Sequence, residues 1–372
     1  MMKIAWVTPQ SFVDVDLPII AELQKTAEIY WQILVGRLTD DMRLYVKSQL
    51  DGNSNLKYEF VETKYRVYDI RTLFLYIKVL KKAKAYKADV YYTSLQTAPF
   101  GPMVYKCCWP MKNTVTACHN VSTPKGANRE HYARFYTNLT LRAFNNIQVF
   151  SESQQEVLKQ RFPNKNVLLA PLAIKDYGEP SSPRREFKDK EIVFLFFGII
   201  SPYKRLDLLI EAAQEIYERG FRNFKVKIRG KCKNWPQYES LIKYQHLFDC
   251  RIEFIPNADV ADIFAECDYF VMPYQDIAQS GAITVAFRYD LPVILSDLSQ
   301  FRPYGDEGKT GFFFKSGDAH DLGEKMITVL KGGGRLHEEL RRGLSDFVKE
   351  RYSTPAIARR YMNYFEGLLE QK

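Results

Sequence analysis

Short apolar runs alternate with amphipathic stretches along the whole chain. In the first half, the runs at 3–8, 29–35, 89–95, 113–119 and 147–153 are rich in β-branched and aromatic residues and end in polar or turn residues. That pattern predicts strands. Helical periodicity lies between them at 18–27, 71–86 and 129–144. In the second half, strands are predicted at 191–198, 224–230, 251–256, 268–274 and 291–297, with helices at 205–219, 261–268 and 283–290 and a last amphipathic stretch at 355–371. Near-continuous apolar strands alternating with helices imply parallel sheets covered on both faces. A stretch rich in Pro, Ser and charge, 174–190, reads as a linker. The predicted fold class is therefore α/β, with two Rossmann-like doubly wound domains at 1–173 and 191–352. A length of 372 residues suits two domains. Ligands of such sheets bind beyond the carboxyl ends of the strands, so two facing sheets predict a site in the cleft between them.

Composition narrows the class. No run of about 18 apolar residues exists, so no membrane-spanning helix is expected. The N-terminus enters a strand pattern without a secretion signal, which predicts a cytoplasmic protein. The six cysteines show neither metal-ligand spacing nor a disulfide framework. The Asn120 and Asn138 glycosylation triplets are then coincidental. Residues 1–172 carry 23 Lys and Arg against 14 Asp and Glu, and the remainder balances at 30 against 30. The first half thus faces something acidic: nucleic acid, an anionic membrane surface or a phosphorylated acceptor. No RNP, KH, zinc or helix-turn-helix pattern supports nucleic acid. In the helix at 71–87, lysines 78, 81, 82, 84 and 87 lie largely away from Leu73, Leu75, Ile77, Val79 and Leu80. Such a helix either docks on anionic lipid or simply covers a sheet.

The richest chemistry lies in FLFFGIISPYKRLDLLIEAA, residues 194–213. An apolar strand stops at Gly198, a loop follows, and Lys204 stands where a helix begins. An ammonium beside free helix N–H groups is an anion site, whereas the bland reading is a solvated lysine.

Several segments, in this order, resemble a known family. They are TACHN (116–120), QVFSESQQEVL (148–158), FGIISPYKRLDLLIEA (197–212), VKIRGK (226–231), IEFIPNADVADIFAECDYFVMPY (252–274), QSGAITVAFRYDLPVILSD (279–297) and GDEGKTGFFFKSGDAHDLGEKM (305–326). Together they resemble the retaining, metal-independent glycosyltransferases of the two-Rossmann-domain GT-B fold, family 4, in a variant with Gln-Ser-Gly in the donor loop. The resemblance implies transfer of a sugar from a nucleotide-sugar donor to a glycan or polyprenyl-phosphate-linked acceptor in surface polysaccharide biosynthesis. It implies no metal and no other cofactor, a location in the cytoplasm or on the inner membrane face, and a final helix (353–372) that crosses back to the first domain. It assigns His119, Lys204 and Asp276 to catalysis. Donor contacts fall to Gly198, Arg205, Gly230, Lys231, Ile255, Pro256, Gln279, Ser280, Gly281 and Ala282. By position and charge, Lys125 and Arg129 after His119 are candidate contacts for an acidic acceptor, and the first loop with Asp16 is either structural or an acceptor or donor contact.

The chain also departs from the family. Ile199 stands where an Arg is usual, and Ile277 and Val285 stand where two Glu are usual. Asp276, one residue earlier, is the substitute for the first Glu. Asp14 and Asp16 imitate a DxD metal motif on the wrong fold. The losses keep open a degenerate subunit that acts as a partner protein. A nucleotide-sugar epimerase shares the fold, but the acid/base carboxylate pair it needs is not evident.

Overall fold

The computed structural model describes residues 1–372 except 51, 53–54, 67–68, 95–99, 122–129, 188–190, 278–279 and 371–372. Contacts divide the chain into two compact units, 1–173 with 352–372, and 174–351.

The first unit contains strands β1 (Met2–Pro9), β2 (Ala27–Val35), β3 (Leu56–Glu62), β4 (Val90–Thr93), β5 (Thr114–Ala117), β6 (Asn146–Val149) and β7 (Asn166–Leu169). They form one sheet in the order β3-β2-β1-β4-β5-β6-β7, with every pairing parallel. Its helices are α1 (Val13–Leu23), α2 (Asp40–Ser48), α3 (Ile70–Ala85), α4 (Gly101–Cys108), α5 (Glu130–Ala143) and α6 (Glu152–Arg161). The second unit has β8 (Ile192–Phe197), β9 (Phe224–Arg229), β10 (Phe248–Arg251), β11 (Tyr269–Met272), β12 (Val293–Ser296) and β13 (Gly311–Phe314), ordered β10-β9-β8-β11-β12-β13 and again all parallel. Its helices are α7 (Leu206–Glu218), α8 (Pro236–Glu239), α9 (Asn257–Ala265), α10 (Gly281–Arg288) and α11 (Ala319–Arg351). A left-handed Gly333 (φ +58°) breaks α11. α12 (Thr354–Glu370) returns to the first unit. These are the two Rossmann-like parallel-sheet domains that the alternation predicts. Among the described residues no helix is long and apolar enough to cross a membrane.

Apolar strands form the cores. Ile4 to Val7 of β1 and Phe194 to Phe196 of β8 are fully buried, as sheets covered on both faces require. α12 places Ile357, Tyr361 and Phe365 in the first core. There the Tyr361 hydroxyl accepts a 2.6 Å bond from Gln148 Nε2, and the Tyr92 hydroxyl donates to Gln148 Oε1.

Some boundaries differ from the expectation. α1 begins at Val13, not 18, so residues 13–17 are helix rather than loop, and Pro18 lies inside it. β10 lies at 248–251 instead of 251–256, and β3 and β7 were not predicted. The stretch read as a linker lies on the second unit. Ser181 N donates to Asp262 Oδ1 (2.6 Å), Arg288 pairs with Asp176 (2.8 Å) and Glu179 (2.6 Å), and Arg184 Nη1 donates to Tyr289 O (2.5 Å).

Candidate functional site

A doubly wound sheet opens a crevice where its strand order reverses. In the second unit this is between β8 and β11, so the loops after those strands flank it. β8 runs into Gly198 at φ +108°, and β9 into Gly230 at φ +144°. A Cβ on Gly230 would stand 2.2 Å from the Gly198 carbonyl oxygen. Only glycine lets these two backbones touch at these angles. Gly198 N donates to Arg229 O and Ile200 N to Lys231 O, each at 2.9 Å, which holds the two loops together.

A short 3-10 turn (Pro202–Lys204) follows, and Arg205 in the left-handed region (φ +49°) starts α7. This turn folds the Lys204 side chain inward: it is 8% exposed, and its Nζ sits 5.3 Å from the Tyr274 ring centroid. A Cβ on Gly198 would lie 3.1 Å from that Nζ. Lys204 makes no hydrogen bond or ion pair through Nζ among the described residues. Burial pulls its pKa from 10.5 to about 8. An ammonium withdrawn from water without a carboxylate is costly, and only the aromatic face partly offsets that cost.

The loop after β11 closes on the same place. Gln275 N donates to Tyr203 O (2.9 Å), Arg205 Nη1 donates to Gln275 Oε1 (3.3 Å), and Tyr203 meets Tyr274 edge-on at 5.8 Å. The loop ends at Ser280, which is 7% exposed, and α10 opens with Gly281 and Ala282. The Ser280 side chain makes no capping bond there. Lys175 lies beside this helix start: a Cβ on Gly281 would be 3.4 Å from its Cε and 3.7 Å from its Nζ. Sequence reasoning missed Lys175 because it sits in the stretch read as a linker.

The remaining expected residues are scattered. Arg205 is committed to Asp207 (2.8 Å) as well as Gln275. Lys231 is exposed, Ile255 is buried and Pro256 is exposed at the start of α9. Asp276 is exposed; burial, and then the Asp276 charge, raise the Tyr203 phenol. Ile277 and Val285, at the two usual Glu positions, are 6% and 2% exposed and pack as core. Gln279, Lys125 and Arg129 lie outside the described residues.

In the first unit His119 follows β5, its ring 4.1 Å from those of Phe12 and Phe150. Asp16 corrects an expectation. Rather than meeting an acceptor from a loop, it is 1% exposed in α1, where its Oδ2 accepts from Trp6 Nε1 (3.0 Å), Thr8 Oγ1 (2.7 Å) and Ser94 Oγ (2.6 Å). It ties β1, α1 and the end of β4 together at the reversal point of that sheet. Nearby, at the carboxyl ends of β1 to β3, is a pocket of about 410 Å³ lined by Pro9, Gln10, Ser11, Leu34, Gly36, Thr63 and Tyr76, all uncharged. Nothing in the sequence pattern marked it.

Burial outweighs those three bonds and raises the Asp16 pKa from 3.8 to about 6. With the folded value above the unfolded one, Asp16 supports the fold fully below about pH 4, and that support is lost as pH rises through 6. Asp16→Asn lacks this titration. In urea unfolding, the stability advantage of wild type over the variant is expected to shrink by about 2–3 kcal/mol between pH 4 and pH 7. A constant difference would show that the carboxyl is not perturbed.

Residues 191–332 match the family described as glycosyl transferases group 1. The second unit thus carries a glycosyltransferase group 1 domain. No curated protein matches the chain. Among solved structures, a glycosyltransferase from Rickettsia africae is similar, with a TM-score of 0.72 at 15% identity over 100% of this chain and 99% of that one. Anabaena HepE, solved with UDP and glucose, has a TM-score of 0.71 at 15% identity over 99% and 100%. Sucrose-phosphate synthase of Thermosynechococcus elongatus has a TM-score of 0.71 at 14% identity over 100% of both chains. At such identities the likeness is one of fold, the GT-B fold of two Rossmann-like domains.

Proposed function

We propose that the glycosyltransferase domain of residues 191–332 holds the diphosphate of a nucleotide sugar on Lys204, and that the chain transfers the sugar, with retention, to a glycan or lipid-linked acceptor held by the first unit. The buried, unpaired Lys204 ammonium beside Gly198 carries this reading. Breaking the glycosidic bond builds negative charge on the leaving diphosphate. A preorganised cation in a dry site stabilises that charge. The N–H groups at the start of α10 are oriented for the same anion. With Ile199 in place of the family's arginine, Lys175, beside the start of α10, is the cation that compensates. Val285 and Ile277 remove the usual carboxylate grip on the donor, so the donor is held chiefly by its phosphates. No covalent nucleophile is assigned. The leaving phosphate takes the acceptor proton on the face that it departs from, which gives retention.

A thermal-shift screen of UDP, GDP, ADP, TDP and CDP in EDTA tests the donor site, and the anomeric configuration of the product by NMR tests retention. At least one nucleotide is expected to stabilise the protein without added metal. If none does, the chain is not a transferase of this kind, and a non-catalytic partner role takes its place. Lys175→Ala is expected to weaken binding of the selected nucleotide by about 0.5–1.5 kcal/mol, since its ammonium is less enclosed than that of Lys204. Unchanged affinity in titration calorimetry would remove Lys175 from the site.

A further inference from the structure

The basic excess is more localised than the two halves of the chain suggest. Between Glu62 and Glu152 the sequence has fourteen Lys and Arg against three acidic residues, Asp69, Asp89 and Glu130, an imbalance larger than the net +9 of the whole chain. This stretch carries α3, α4 and α5, which pack in sequence over one core of the first unit. Every basic residue among its described positions is exposed. Arg71 and Lys82 pair with Asp69 and Glu59, but Lys78, Lys81, Lys84 and Lys87 meet no acidic partner among the described residues.

Large apolar side chains protrude from the same three helices. On α3, the buried face is Thr72, Tyr76, Val79, Leu80 and Ala83. The opposite stripe reads Ile70, Phe74, Lys78, Lys81, at helical spacings of four, four and three. Ile70 is 56% and Phe74 65% exposed, Met103 on α4 is 65% exposed, and Phe135 on α5 is 60% exposed. Single exposed apolar groups are ordinary, but here four of them share three packed helices with the lysines that lack acidic partners among the described residues.

We infer that the outer faces of α3, α4 and α5 form a docking surface for a bilayer containing anionic lipid. The apolar tips enter the acyl boundary while the lysines, on flexible stems, meet the headgroups. The chemistry selects this occupant. A protein interface concentrates apolar contact in a core depleted of charge, whereas here the lysines interleave with the apolar tips. Single-stranded nucleic acid calls for aromatic platforms in a groove, whereas two of the four protruding groups, Ile70 and Met103, are aliphatic and offer no stacking face. No helix among the described residues is long and apolar enough to cross the membrane, so the attachment is peripheral.

Co-sedimentation of the full chain with phosphatidylcholine vesicles, with and without one-third phosphatidylglycerol, tests this. Wild type is expected to bind the anionic vesicles and to leave them as salt rises. The triple variant Lys78→Gln, Lys81→Gln, Lys84→Gln is expected to lose about fivefold in partitioning per charge, roughly a hundredfold in all. Phe74→Ser is expected to lose about tenfold on the same vesicles. Unchanged thermal midpoints show that both variants fold. The inference fails if wild type ignores anionic vesicles, binds neutral ones equally, or if the triple variant binds like wild type. It fails equally if the protein binds poly(U) RNA or self-associates through Phe74 but leaves vesicles alone.

Discussion

Lys204→Ala is expected to weaken nucleoside-diphosphate binding by about 1.5–3 kcal/mol, the scale of a hydrogen bond to a charged group. Turnover should fall further than affinity. Charge on the departing diphosphate is greater in the transition state than in the bound donor, so the missing ammonium is felt more there. The same residue has the opposite sign in stability. Its folded pKa of about 8 lies below the ordinary 10.5, so at neutral pH protonation favours the unfolded chain. That penalty, up to about 3 kcal/mol, is complete below pH 8 and vanishes as pH rises above 10.5. Lys204→Met should therefore unfold at a higher temperature than wild type at pH 7 while losing nucleotide binding. Wild-type affinity should in turn decline by about tenfold per pH unit above pH 8, where the free site loses its proton. Calorimetric titration at pH 7 and 9 with a melting curve of each variant decides the matter. A Met variant that is less stable, or that binds as well, removes the anion role from Lys204.

Gly230→Ala is expected to be among the most damaging single-methyl additions in the second unit. The added carbon would stand 2.2 Å from a backbone carbonyl oxygen that belongs to Gly198, and φ +144° is itself hostile to a side chain. Because the neighbour is backbone, it cannot swing aside; β8 and β9 must part at the edge where Gly198 faces Lys204. The expected cost exceeds about 4 kcal/mol, with loss of nucleotide binding in whatever protein remains folded. A soluble variant with a wild-type denaturation midpoint would mean that the two glycine turns are not in register.

The doubly wound architecture was readable because its central strands are buried on both faces and so print as unbroken apolar runs. Where a strand lies at a sheet edge, that print fades. β10 is the polar Phe-Asp-Cys-Arg at the margin of its sheet, and the more apolar 251–256 beside it carries the stronger strand pattern. β3 is an edge strand of mixed exposure, and β7 is four residues at the opposite margin. The start of α1 is masked because a proline suits a helix's first turn, whereas here Pro18 lies in the helix interior. Lys204 was legible as a cation at a strand-to-helix turn, but its enclosure by Gly198 and Tyr274 was not, since that depends on a loop seventy residues further on. Asp16 shows the converse: a carboxylate in a polar-looking stretch gives no local sign that Trp6, Thr8 and Ser94 will surround it. Lys175 was hidden by composition, because a Pro- and Ser-rich stretch looks the same whether it hangs free or is strapped to a domain.

The placement of α12 bears on how the protein is made. A ribosome delivers residues 1–173 first, yet the side of that sheet next to Gln148 waits for Tyr361 and Phe365 until the intervening 178-residue unit has been translated. The unit synthesised second is thus the first that can fold to completion. The leading one spends that interval with an uncovered apolar flank, which is the window in which a chaperone has most to shield.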